Sequence, residues 1–415
     1  MLGRISALHS TSKSSVQQDS GVDSATGQRD KMPPLPEKRV VVGCGSVGID
    51  YLASVAKYPN PDDKIRTEDF ASQGGGNAGN ALTAAARLGL KPHILSKVAD
   101  DSTGKLILEE LENDGVDTKH VVVSEGGVSP FTYIIVDKET KTRTCIHTPG
   151  SPAMRPEELT DEAISSVLAD ASIVYFDVRL WETAIKLAKE AEARGLPILV
   201  DAEKRRDGLD ELLSSATYIV AAAKFPQHWT GETTLPDALL QMMIKLPGLQ
   251  FVIVTLGADG CVMLRRESDN NNNSGATMPG VPELDIGKTL DELKDLAQKR
   301  RAEQSSQPLP VVVSSTVGRL MPSSPHSSET QAERTGVFGT LIYGTAVMMT
   351  PEEIVDTTGA GDAFIGAVLY ALCAGMSASS TLTLAATVAS AKCRAMGARA
   401  GLPFREDSRV VNLLY

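Results

Sequence analysis

The sequence predicts an α/β fold: a mostly parallel central sheet with helices on both faces, and a smaller sheet beside it. Three observations carry this. Short apolar runs of β-type residues recur at 39–42, 92–97, 172–176, 197–200, 218–220 and 251–256, with helical patterns such as 183–194 between them. Such alternation predicts parallel strands joined by crossover helices. Residues 51–72 and 117–147 read instead as short alternating strands, Thr132-Tyr133-Ile134-Ile135-Val136 among them. These suit a small sheet covering a binding cleft and partly excluding water. Finally, 415 residues, 42% of them hydrophobic, can build one large α/β core or two smaller ones.

Taken in order, residues 1–36 are polar and Ser-rich and end in Met32-Pro33-Pro34-Leu35-Pro36, which predicts a disordered tail. Within 1–18 only Arg4 and Lys13 are charged, as in a short organelle transit peptide; acids from Asp19 onward argue against that reading. No secretory apolar segment opens the chain, so a cytoplasmic location is expected, with the plastid as the alternative if the tail is a transit peptide. One domain is expected over 37–415, and it begins with the strand at 39–42. Gly43-Cys44-Gly45-Ser46-Val47-Gly48 follows at once and matches a dinucleotide-binding pattern. That fold needs a helix there, and Tyr58-Pro59-Asn60-Pro61 leaves little room for one.

Residues 268–335 break the pattern. Asp269-Asn270-Asn271-Asn272-Asn273-Ser274 is low in complexity, 290–301 is a charged helical stretch, and 323–328 is again polar. An insert this long is expected to be disordered or regulatory. Asn272-Asn273-Ser274 matches a glycosylation sequon, read here as chance. Residues 365–391 carry no charge until Lys392, yet Gly375-Met376-Ser377 interrupts them, which favours two buried helices over a membrane span.

Composition narrows the partners. The net charge of −11 comes without a basic stripe, which excludes a nucleic-acid partner and disfavours anionic membranes. The five cysteines are widely spread and show no metal-ligand spacing, so reduced thiols are expected.

Two motifs carry chemistry. Asp356-Thr357-Thr358-Gly359-Ala360-Gly361-Asp362-Ala363-Phe364 runs small residues into an acid and then an apolar stretch. That order predicts a tight loop turning into a buried helix, whose free N–H groups form an anion site. Asp362 beside an anion suits a base taking a proton from an attacking hydroxyl, while the N–H groups of Gly359, Ala360, Gly361 and Asp362 hold a transferring phosphoryl group. A helix N-cap is the plainer role for such an aspartate. In the second motif, Gln73-Gly74-Gly75-Gly76-Asn77-Ala78-Gly79-Asn80, the glycines let backbone approach a ligand. Asn77 and Asn80 lie three apart at a helix start and can bind several hydroxyls of one polyol.

Together the two motifs resemble the C-terminal and N-terminal signatures of the ribokinase-like (pfkB) family of carbohydrate kinases, over roughly residues 39–405 without the insert. The resemblance implies the family's three-layer sandwich with a small β-sheet lid, and ATP-dependent phosphorylation of a small-molecule sugar. Asp362 would be the base. Asp50, Gly75, Gly76, Asn77, Asn80 and Arg179 would hold the sugar; for Arg179 a plain surface arginine is the equal alternative. Val254-Thr255-Leu256-Gly257-Ala258-Asp259-Gly260 resembles the family's nucleotide loop, placing Thr255, Gly257 and Gly260 at ATP, with Lys224 and Ala389 beside them. Mg²⁺ would arrive with ATP, and a monovalent cation, K⁺, would sit near Asp356 and Thr358. A homodimer through the covering sheet is compatible with the family. No Walker A sequence occurs, which disfavours a P-loop kinase.

Shorter stretches resemble ketohexokinase within that family: the segment from Tyr58-Pro59-Asn60-Pro61 to Arg66, Ala202-Glu203-Lys204-Arg205, Ala223-Lys224-Phe225, and 388–393 with Gly397. Lys224-Phe225-Pro226-Gln227 replaces an Asn-x-x-Glu found in many members, and the extra glycine before Asn77 also departs from the pattern. The acceptor expected is a ketohexose such as fructose. Two alternatives stay open: a catalytically silent scaffold of the same fold, and a nucleoside kinase.

Overall fold

The computed structural model describes residues 32–140, 142–268, 281–304, 309–323 and 335–414. Its first half runs β1 (Val40–Cys44), β2 (Gly48–Val55), β3 (Asp69–Gly75), α1 (Asn77–Arg87), β4 (Lys91–Leu95), β5 (Lys97–Ala99), α2 (Ser102–Asn113), β6 (Val122–Ser124), β7 (Phe131–Asp137) and β8 (Thr142–Thr148). Then follow α3 (Asp161–Leu168), β9 (Ile173–Phe176), α4 (Trp181–Ala193), β10 (Ile198–Ala202), α5 (Leu209–Ser214), β11 (Tyr218–Ala222), α6 (Phe225–Thr230), α7 (Leu235–Lys245), β12 (Phe251–Thr255) and β13 (Cys261–Arg266). The last part holds β14 (Glu283–Asp285), α8 (Ile286–Glu303), β15 (Val312–Ser314), β16 (Gly318–Met321), β17 (Val337–Gly344), α9 (Ala360–Cys373) and α10 (Ala378–Lys392).

The main sheet has the order β14-β16-β17-β13-β12-β11-β10-β9-β1-β4, with β15 paired to β17. From β12 to β4 all neighbours are parallel; β13 and β17 run antiparallel. Alternation along the strands builds two cores. Val42, Val174, Phe176 and Val200 face one cluster, which includes residues of α4, α5, α7 and α8. Val41, Ile173, Tyr175 and Leu199 face the other, with α1, α2, α9 and α10. Near-continuous apolar strands are what a sheet buried on both faces requires.

A separate sheet has the order β3-β2-β7-β8. The expected windows were only partly right. The strand before 56 begins at Gly48, so Asp50 lies within it. Val122–Ser124 pairs with β5 instead. Cross-strand pairing puts Asp50, Thr132 and His147 on one face, while Tyr51, Tyr133 and Ile146 share the other.

Two readings need correction. Residues 268–335 are not a disordered insert throughout: the charged helical stretch lies within α8, and β14, β15 and β16 accompany it, joining the main sheet and its helical layer. Ile286, Leu290, Leu293 and Ala297 of α8 are buried. Their spacing of four, three and four is the period of an amphipathic helix. The Asn-rich run, the sequon and most of the polar run after Ser323 lie outside the described residues, as does the tail up to Lys31. The ordered domain also starts before 37, since Pro33 is buried and its carbonyl accepts a 2.6 Å bond from Arg405. The G-x-G-x-x-G stretch connects β1 to β2 with no helix, which removes the dinucleotide reading. The uncharged stretch forms α9 and α10, and among the described residues no helix is long and apolar enough to cross a membrane.

Candidate active site

The helix α9 begins where two cavities meet. Gly359 precedes it in the left-handed conformation (φ 74°), which glycine adopts without steric cost. The Ala360 N–H is taken by the Thr357 carbonyl at 3.2 Å and the Ala363 N–H by the Gly359 carbonyl at 2.8 Å. Among the described residues the N–H groups of Gly359, Gly361 and Asp362 have no protein acceptor. Three of the four expected anion donors are therefore free; that of Ala360 is not.

Asp362 sits in the first turn of α9 and does not cap it. Its carboxylate accepts a 2.8 Å bond from the Asn80 amide nitrogen. The Asn80 oxygen accepts from Arg399 Nε at 3.0 Å, and Arg399 also donates to the Gly75 carbonyl at 3.0 Å. Arginine offers only donors, so it fixes which end of the amide faces Asp362. Helix packing brings these groups together. A Cβ on Gly366 would lie 2.5 Å from both the Ala81 carbonyl oxygen and the Ala84 Cβ, so glycine lets α9 approach α1 closely. Gly366 is one turn beyond Asp362, and Ala84 one turn beyond Asn80, so this contact aligns the pair.

Burial pushes the Asp362 carboxyl up to about 7; the Asn80 bond opposes this, and the charges of Asp177, Glu203 and Asp50 add to it. Burial likewise raises Asp50 to about 6, with Arg399 and Thr132 pulling it down. Asp201 is raised well above the usual carboxylate range by burial and by Asp362. Crowded, desolvated carboxylates of this kind mark functional sites.

The polar cavity is about 700 Å³ and is lined by Asp50, Gly76, Asn77, Asn80, Arg179, Thr255, Thr358, Gly359, Ala360, Gly361 and Asp362, all expected from sequence. Its roof is the inner face of the small sheet: Asp50, Thr132, Ile134, Arg143, Cys145 and His147. Arg143 donates to the Thr357 hydroxyl at 2.7 Å, tying roof to anion loop. The apolar cavity is about 610 Å³ and includes Thr255, Gly257, Gly260, Ala360, Gly361 and Ala389, with Met348, Ile354 and Phe364. Thr255, Thr357, Ala360 and Gly361 line both.

Other expected residues fall elsewhere. Lys224 is exposed and lines neither cavity, because Phe225 and Pro226 bury the start of α6 and leave it on the surface. Gly75 lies behind the Asp50 carboxylate, with no room for a Cβ. Asn80 is committed to Asp362 and Arg399, and so holds the Asp362 carboxylate in place. Asp356 lines neither cavity. Sequence reading missed Asp177, whose carboxylate accepts from Ser46 N at 2.8 Å, Ser46 Oγ at 2.6 Å and Ala78 N at 3.1 Å, stitching the β1–β2 loop to α1. It also missed Asp201, Arg143 and Arg399. No local pattern marks them, because the partners of these side chains lie up to 324 residues away.

The monovalent-cation expectation meets an obstacle. Both Asp356 carboxylate oxygens are used: Thr358 N (2.9 Å) and Oγ1 (2.7 Å) bond one, and Gly397 N (2.7 Å) bonds the other. The Asp356 carbonyl accepts from Lys392 Nζ at 2.6 Å. A metal cation there would sit against an ammonium, so these residues do not fit one.

The free N–H groups at the start of α9 thus lie between a polar and an apolar cavity of an α/β sandwich, with the Asp362 carboxylate beside them. The profile of the pfkB family carbohydrate kinase matches residues 38–290 and 334–405, and the chain belongs to that family. Relatives include the ATP-dependent ribose-1-phosphate kinase of Halopiger xanaduensis (27% identical over 44% of this chain and 60% of that protein). Others are the ribokinase of Mus musculus (25%, over 55% and 72%) and the probable fructokinase-3 of Arabidopsis thaliana (24%, over 56% and 70%). The match to a bifunctional ribokinase/ribose-5-phosphate isomerase A of Fructilactobacillus sanfranciscensis spans only 42% of that protein. Among solved structures, Arabidopsis thaliana ribokinase with ribose and ATP superposes with a TM-score of 0.61 at 20% identity, over 91% of this chain and 98% of that one. A Burkholderia thailandensis nucleoside kinase with inosine gives 0.59 at 16%, over 90% and 96%. These likenesses show the fold. The ketohexokinase branch gains no support from relatives named ribokinase, fructokinase and nucleoside kinase.

Proposed function

We propose that the protein is an ATP-dependent kinase that phosphorylates a primary hydroxyl of a small sugar, a ketohexose such as fructose. The observation that carries this reading is the meeting of a polar and an apolar cavity at the α9 N-terminus, with Asp362 on the polar side. The sugar lies under the small sheet against Asp50 and Asn77. Adenine lies in the apolar cavity near Ala389, and the phosphates run past Thr255 and Gly257 to the free N–H groups. Asp362 takes the proton as the hydroxyl oxygen attacks the γ-phosphorus and ADP leaves. A carboxyl near 7 is well matched to that task at neutral pH. Magnesium arrives on the nucleotide; among the described residues no three His, Cys, Asp or Glu cluster as a cage. The exposed Phe70, Tyr133 and Ile146 on the outer face of the small sheet support a homodimer there.

A second reading changes the acceptor. The rim of the polar cavity carries Arg179, Lys204 and Arg206, with Glu203 paired to Arg179 at 2.7 Å and Arg206 at 3.5 Å. That excess of cations suits a sugar already bearing a phosphate, as the name of the Halopiger relative describes. ADP release from Mg-ATP, measured with fructose, ribose, ribose-1-phosphate and inosine, separates these cases. Fastest turnover with fructose supports the first reading, with ribose-1-phosphate the second, and with inosine a nucleoside kinase. No turnover with any of them, from protein that still binds ATP, favours the scaffold.

A further inference from the structure

The segment that shapes the anion loop is held by a lysine in the place where a metal cation was expected. We propose that the Lys392 ammonium is a built-in cation that positions the Asp356–Gly359 segment, and that the protein therefore needs no potassium or other monovalent metal ion for that purpose.

Lys392 is the last residue of α10 and is 0% exposed. Its Nζ donates to the Asp356 carbonyl at 2.6 Å and lies 3.4 Å from the Ala395 carbonyl. A buried lysine with backbone carbonyls as its bonded partners is unusual, since burying an ammonium is costly unless charge and hydrogen bonds compensate it. Here the compensating charge is Asp356. Burial lowers the lysine's proton affinity and the Asp356 carboxylate restores part of it. On Asp356 burial acts upward, but Lys392 and the bonds from Thr358 and Gly397 outweigh it and leave the carboxyl below its usual value. The Asp356 carboxylate is therefore charged at neutral pH, and its charge favours the ammonium form of Lys392.

The surroundings fit a fixed cation. Carbonyls that converge on one point form the environment a monovalent metal ion would use, and an ammonium is a compact charge that can take the same oxygens. Chain wraps closely around the lysine. Val355 N and Asp356 N donate to the Cys393 carbonyl at 2.9 and 3.2 Å, and Gly397 N donates to the Asp356 carboxylate at 2.7 Å. A Cβ on Gly401 would lie 2.4 Å from the Lys392 carbonyl oxygen. The lysine thus joins the end of α10 to the residue three positions before Gly359. Lys392 is a positioning residue: it orders the loop whose N–H groups face the anion, and it does not itself touch substrate.

The inference rests on reading the α9 N-terminus as the phosphate site, and its test needs no sugar turnover. Thermal unfolding of the full chain is measured in potassium, sodium and tetramethylammonium chloride at one ionic strength. The expected result for the natural protein is one Tm in all three, within about 1 °C. A potassium-selective rise of several degrees would mean that a cation site is open, and would overturn the proposal. In Lys392→Met the Tm should fall in tetramethylammonium and recover selectively in potassium, because the vacated carbonyls can then take a metal cation. A variant that loses stability without cation selectivity makes Lys392 a packing residue and also overturns the proposal. So does a variant indistinguishable from the natural protein. If Lys392→Met does not fold, the salt comparison on the natural protein decides. ADP titration by calorimetry runs alongside. Failure to bind ADP in any salt would sink the kinase reading, while the unfolding data still decide this one.

Discussion

The two cavities that share the anion loop are built on opposite physical terms. The polar one is walled by carboxylates that burial keeps partly protonated, Asp362 near 7 and Asp50 near 6. They are held in place by Asn80, Arg399 and Thr132. The apolar one is walled by Ala389, Met348, Ile354 and Phe364, with backbone at Gly257 and Gly260. The contrast teaches where the structure invests stability. On the proposed reading a nucleotide base needs only an apolar slot of the right width, so apolar side chains and bare backbone suffice. A proton transfer needs one carboxylate poised near neutrality, so charged groups must be buried and then held by further groups behind them.

The largest expected effect breaks the polar side. Asp362→Asn should lower turnover by about 10²–10⁴-fold while nucleotide affinity stays within about twofold, read by ADP release and calorimetric titration. Equal loss of both would mean that the residue serves the loop and not the proton. The next breaks the apolar side alone. Ala389→Trp should raise the KM for ATP by about tenfold or more with the sugar KM unchanged, because an indole fills the slot. A matching change in the sugar KM would show that the cavities are not independent.

The third sharpens how the Asp362 carboxyl is tuned. The Asn80 amide stabilises the charged form of Asp362, so Asn80→Ala should raise the pKa of Asp362 and move the acid limb of the kcat/KM profile above pH 7. The same logic reaches stability. Asp362 binds its proton more tightly folded than unfolded, so its contribution falls as pH rises from about 4 through 7. Asp362→Asn should therefore gain about 1–3 kcal/mol relative to the natural protein at pH 8, and less toward pH 4, in denaturant titrations. A gain independent of pH would refute the burial argument. The smallest effect falls outside both cavities: Lys224→Ala should change neither KM by more than about twofold, since its side chain reaches neither wall.

Much of this was legible along the chain. Apolar runs at Val40–Cys44 and Phe251–Thr255 announced parallel strands, because a sheet covered on both faces must be apolar on both. Gly359-Ala360-Gly361-Asp362 announced its turn through glycine geometry, a local property. Within 268–335 the charged helix at 290–301 was legible, but the Asn-rich run and that charge hid the spacing of Ile286, Leu290, Leu293 and Ala297 that buries one face of α8. Lys224 was misplaced because a neighbouring motif says nothing about which way a helix-leading side chain points.

The sequence by itself determined the order of strands and helices, the glycine turn before α9 and the aspartate in its first turn, since each depends on residues within one turn or one strand. Only the tertiary structure decided that Asn80 serves Asp362 through Arg399, that Asp177 pins the loop before α1, and that Lys392 lies on the Asp356 carbonyl. Those groups are up to 319 residues apart. Their pairing follows from how α1, α9 and α10 pack, and close packing is set by the shapes of whole faces, which no short run of residues contains.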